Sequence, residues 1–154
     1  MSYASTILTA VKELLGTIPG LPPVKHRCRP IFWNDEKKVV LLSLFSDELD
    51  FECFINQDDA SRACVVKYTM NVTIMVQRND QYDEDPDDVL TWREQIRQKL
   101  YRPMAAGVIS LPGAPTVYDC QLGLGQTWEY AGLDRAFDVS PLSFIYHSKE
   151  PVNG

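Results

Sequence analysis

A single α+β domain with a mainly antiparallel sheet follows from three features of the 154-residue sequence. Val66 to Val76 alternates apolar and polar residues, the period of a long strand with one buried face. Two stretches carry apolar residues at helical spacing: Ile7, Leu8, Val11, Leu14 and Leu15, then Val89, Trp92, Ile96 and Leu100. The order is therefore helix, strands, helix, strands, with hairpin-length links early and one helix between strands.

The first helix has Ser5 or Thr6 as its expected cap and ends at Gly16. Pro19-Gly20-Leu21-Pro22-Pro23 cannot continue it, so Met1 to Pro23 reads as a helix and an extended linker. Val24 to Trp33 mixes basic and apolar residues, and its first half suits a short edge strand. Asn34 to Lys37 is a turn or loop. Val39 to Phe45 is a continuous apolar run and reads as a central strand. Leu49 to Ile55, with Phe51, Cys53 and Ile55 alternating against acids, is placed to pair with it. Gln57 to Arg62 is a polar connection.

The central unit runs from Val65 to Arg102. In its strand Val66, Tyr68, Met70, Val72, Ile74 and Val76 share one face, and Lys67, Thr69, Asn71 and Thr73 the other. An acidic loop follows. Asp85 can then cap a helix, with Pro86 at its first position and Asp87 and Asp88 at the positive end of the dipole. Arg97, Lys99 and Arg102 stand at its closing end, and Pro103 stops it. Met104 to Pro115 reads as surface loop, and Thr116 to Leu122 as another strand. The last strand is Phe137 to Tyr146. Pro141 interrupts it, which favours an edge or bulged strand over a central one.

Composition excludes several classes. Apolar content of 45% and charged content of 23% are ordinary for a globular protein. A net charge of −6 argues against a broad nucleic-acid-binding face, since that affinity comes from cations neutralising phosphates. No apolar run approaches the ~20 residues of a membrane-spanning helix, so no membrane association is expected. The N-terminus lacks a basic region followed by an apolar core, and no signal peptide is expected. Cys28, Cys53, Cys64 and Cys120 form no CxxC pair and read as reduced, packed thiols of a cytosolic protein.

The chemistry-bearing residues form no catalytic constellation, and no cofactor is expected. His26 and Cys28 have no second ligand pair nearby, and His147 reads as solvated in a polar tail. Gly123-Leu124-Gly125 lacks the following Lys and Ser or Thr of a phosphate loop. Asp80, Asp83, Glu84, Asp85, Asp87 and Asp88 put six carboxylates in nine residues, but without the glycine of an EF-hand. A solvated loop leading into helix-start acids is the simpler reading. Trp92 belongs to the apolar stripe. Trp33, Trp128 and Tyr130 lie in loop-rich segments and are candidate interface anchors. Arg93 and Arg97 flank the stripe one turn apart. Either they are solvated, with Glu94 pairing to Arg97 or Gln98, or they meet a neighbouring subunit's carboxylates.

The chain resembles the tail terminator, or tail-completion, proteins of long-tailed bacteriophages and prophages. The resemblance lies in Asn71 to Gln77, in Leu90-Thr91-Trp92-Arg93-Glu94-Gln95-Ile96-Arg97, and in Leu100-Tyr101-Arg102-Pro103. Tyr118-Asp119-Cys120 and Phe137-Asp138-Val139-Ser140 to Phe144-Ile145-Tyr146 add to it. It implies a non-catalytic α+β virion subunit, assembled in the host cytoplasm, that forms a hexameric ring on the tail tube. Such a ring ends tube polymerisation and presents a face to the head-side connector, while DNA passes through without specific binding. In that setting Asp80, Asp83, Glu84 and Asp85 are candidates for the channel lining, where carboxylates would repel phosphates. A head-closure or adaptor ring is the alternative within the class, and a small enzyme the alternative outside it.

Overall fold

The computed structural model describes residues 2–27, 37–55, 62–77, 86–107, 110–123, 129–130 and 137–151. They form an α+β domain built on one mostly antiparallel sheet. Helix α1 spans Tyr3–Gly16 and begins one turn earlier than the sequence suggests. Ser2 caps it: its hydroxyl accepts from the Ser5 N–H, and the Thr6 N–H bonds the Ser2 carbonyl. Thr17 closes the other end, its N–H and hydroxyl both reaching the Leu14 carbonyl.

Strand β1 (Val24–His26) is the short edge strand expected, and it runs parallel to β2. Strand β2 is one continuous element, Lys38–Ile55, rather than two strands folded on each other. Both of its halves pair with β3 (Arg62–Gln77), with bulges at Leu44/Ser46, Leu49/Phe51 and Phe51/Phe54. The physical reason is simple: bulges let a strand change which residues face the core without turning back.

Helix α2 covers Pro86–Leu100, and a short α3, Arg102–Ala105, takes Pro103 into its own first turn. Strands β4 (Val117–Leu122), β5 (Glu129–Tyr130) and β6 (Phe137–Pro151) complete a sheet of order β1-β2-β3-β6-β4, with β5 also on β6. The apolar stripes of α1 and α2 cover one face. There Ile7, Val11 and Leu15 of α1 and Val89, Ile96 and Leu100 of α2 join Val72 and Ile74 of β3. Leu142, Phe144 and Tyr146 of β6 join the same cluster.

Three expectations are corrected. The segment before β4 is not all surface: Leu111 and Ala114 are core, held in a tight turn in which the Ala114 N–H bonds the Leu111 carbonyl. Gly113 has φ 85° there, a conformation that favours glycine, and a Cβ on it would press on the Ala10 Cβ at 3.3 Å. The sheet is not buried on one face only, because Val39, Leu41, Met75 and Val139 form a second buried cluster on the face away from the helices. Finally, β6 is central despite Pro141.

The placing of Pro141 explains that tolerance. It pairs with Thr73 of β3 without a register shift. Ser143 accepts from Gly123 and Lys149 donates to Thr116, so odd-numbered residues here turn their backbone groups away from β3. Pro141 belongs to that set, and its missing N–H is not one the β3 ladder needs. On the other side it falls between the β5 partners, Asp138 and Val139, and the β4 partners that begin at Phe144. The proline sits in a notch.

Candidate functional site

Arg93 fills that notch. From α2 its Nη1 donates to the Ser140 hydroxyl at 2.8 Å and to the Pro141 carbonyl at 3.0 Å, and the residue is only 3% exposed. Its guanidinium pKa is lowered, first by burial and then by Arg97. The expectation of a solvated or intersubunit Arg93 is therefore corrected. A position one step off the apolar stripe becomes interior when the sheet opposite offers polar groups that need a donor.

The other sequence candidates separate. Arg97 is on the surface, where Glu94 lies 4.0 Å from it and also bonds Arg102 and Gln98. Tyr130 belongs to β5, opposite Asp138. Trp33, Trp128, Asp80, Asp83, Glu84 and Asp85 fall outside the described residues. Trp92 is half-buried against the core, with the Lys38 ammonium 5.8 Å from its ring centroid. Gly123 serves packing: a Cβ on it would stand 2.7 Å from that of Ser143, so the close approach that ends β4 requires its absence.

Polar groups missed by the sequence reading lie where β3, β6 and β4 meet. The Tyr68 hydroxyl donates to the buried Glu150 carboxylate, at 2.9 and 2.8 Å to its two oxygens. Burial, then Glu150, pushes that phenol's pKa up. His147 is not solvated: it is 9% exposed, with Nδ1 3.4 Å from Asp119 and Tyr118 edge-on at 6.2 Å. Beneath it, Cys120 and Tyr146 are buried side by side in the core. Burial lifts the thiol to about 12 and the phenol well above its usual value, so neither is poised to ionise near neutrality. The alternation of β6 signalled this row, since Ser148 and Glu150 continue the face of Leu142, Phe144 and Tyr146.

These clusters tie strands together. Among the described residues no group of three or more His, Cys, Asp or Glu is placed to hold a metal ion. No helix among them is long and apolar enough to cross a membrane.

The surface offers more. From the first bulge to Leu49, β2 is exposed: Phe45 is 72% and Leu49 56% exposed, and Ser46, Asp47 and Glu48 between them are exposed too. On the helical side a groove of about 350 Å³ lies between the end of α1 (Thr17, Ile18, Pro19) and α2 (Gln95, Gln98, Lys99). Tyr118 and Leu122 are also exposed, on edge strand β4. The candidate site is therefore a set of exposed surfaces.

Comparison with protein families finds no family model that matches the chain, and comparison with curated proteins finds no match.

Proposed function

We propose that the chain is a non-catalytic, ring-forming subunit of the tail-terminator type. It would cap the tail tube of a long-tailed phage or prophage, end its polymerisation and join it to the head-side connector. The observation that carries this reading is the outer half of β2, where Phe45 and Leu49 stand in solvent on a strand whose Val39, Val40, Leu41 and Leu42 are buried. Exposed large apolar side chains grouped on one element mark association surfaces. The α+β fold agrees with the one the resemblance implies, and the net charge of −6 suits a ring through which DNA passes without being held. In this reading the protein works in the virion neck after assembly in the host cytoplasm. An adaptor or head-closure ring would share these features, and its partner would distinguish it.

Native mass spectrometry of the protein with and without tail tube tests the proposal. The expected result is a closed particle of several 17.5 kDa chains, six in the hexameric case, that blocks further tube growth. A monomer at every concentration, indifferent to tube, would overturn it.

A further inference from the structure

We propose that neighbouring subunits join by seating the outer half of β2 of one copy in the groove between α1 and α2 of the next. This rests on the ring reading above and names its junction. The two surfaces are different parts of the chain, so the contact is head-to-tail, the kind that repeats around a closed ring.

Complementarity supports the match. The protruding side is apolar and acidic: Phe45 and Leu49 alternate with Asp47, and Glu48 is adjacent. Glu48 is engaged by Lys67 at 3.2 Å, whereas Asp47 makes no ion pair among the described residues. The receiving side is lined by Ile18 and Pro19 from the end of α1 and by Lys99 from α2, and Lys99 makes no ion pair among the described residues. The α1 end is not an open row of acceptors that would repel a carboxylate. Thr17 and Ile18 already bond the Leu14 and Leu15 carbonyls.

Hydrogen bonding points the same way. Beyond its pairing with β1 from Val40 to Leu42, β2 carries the exposed residues Ser46, Asp47 and Glu48. The Gln95 amide lines the groove with its oxygen buried and without a hydrogen bond. A donor arriving from a neighbouring copy gives that oxygen, after a turn of its terminal torsion, a bond the isolated chain lacks. Gln98, exposed on the same helix face, adds a second adaptable donor and acceptor.

Two variants and their mixture test the junction. One carries Phe45→Ser with Leu49→Ser, the other Gln98→Glu with Lys99→Glu, and melting curves check that each is folded. Each alone should lose the ring and run as a monomer in native mass spectrometry. Mixed together, they should form a dimer of one copy each and nothing larger, because only one productive junction remains. As a second measurement, Asp47→Lys and Lys99→Glu should each weaken the ring, and the two combined in one chain should restore it. Wild-type rings alongside rings of the Phe45/Leu49 variant would place the junction elsewhere and leave the ring reading standing. A mixture that stays monomeric would also overturn the pairing. A wild type that never assembles would overturn both the junction and the ring.

Discussion

The two halves of β2 share a strand, a partner and a sheet, yet they live in different environments. Val39, Val40, Leu41 and Leu42 are at most 1% exposed, whereas Phe45 and Leu49 stand mostly in solvent. In sequence, Val39 to Phe45 reads as a continuous apolar run and Leu49 to Ile55 as apolar residues alternating against acids. The difference lies in what covers them. Helices α1 and α2 pack over the inner half, and the second apolar cluster closes its far face. Opposite the outer half, β3 is buried partly through polar pairing, Tyr68 with Glu150, rather than by a helix stripe. A strand pattern sets which residues share a face, and the neighbouring layer sets whether that face is dry.

The sharpest way to break this contrast is at the notch that α2 fills. Arg93→Glu replaces a donor by a buried carboxylate facing two acceptors, and should cost more than about 3 kcal/mol, the scale of an uncompensated buried charge. Denaturant unfolding reads it directly. A loss below about 0.5 kcal/mol would mean that Arg93 is a surface residue after all.

Truncations along β2 and β3 sharpen the comparison next. Leu42→Ala and Ile74→Ala should each cost about 2–5 kcal/mol, because they open cavities under the helices. Tyr68→Phe should cost about 1–3 kcal/mol, since it leaves the buried Glu150 without the hydroxyl proton shared between its two oxygens. Equal losses from Tyr68→Phe and Tyr3→Phe, the latter an exposed tyrosine, would show that the pairing contributes nothing.

Alkaline pH probes the same core by another route. Burial holds the Cys120 thiol at about 12 against an ordinary 9.0, and lifts Tyr68 and Tyr146 above 10.0. A raised acid keeps its proton in the folded state where the unfolded chain has lost it. Stability is thus complete below about pH 9 and falls as pH climbs toward 12, by up to about 1.4 kcal/mol per unit for each group. Melting curves from pH 8 to 11 should show this decline, and Cys120→Ala should delay its onset. A flat profile would contradict the burial of these groups.

The smallest effect belongs to the exposed half. Phe45→Ser and Leu49→Ser should each change folding stability by no more than about 0.5 kcal/mol while impairing assembly. A large loss of stability in the isolated chain would show that these side chains are already covered within it.

Much of this was legible in the residues. The stripes of α1 and α2, the alternation of β3, edge strand β1 and strand β4 all follow from local spacing, which is a property of the chain itself. The breaks in that legibility are instructive. Ser2 caps α1 although Ser5 and Thr6 had the same chemistry, because the helix could start a turn earlier and still bury the same stripe. Leu49 to Ile55 had the right pattern to fold back on β2, but a bulge carried the strand straight on.

Periodicity alone determined which residues lie together on each helix stripe and each strand face, because side-chain direction follows backbone geometry. What covers those faces depended on partners distant in sequence. Arg93 meets Ser140 and Pro141 across 47 and 48 residues, and Tyr68 meets Glu150 across 82. No local pattern specifies such meetings. Burial of a polar group is settled by whether the fold brings it a partner, and only the tertiary structure could turn a flanking arginine into the plug of the sheet and a tail histidine into a largely buried partner of Asp119.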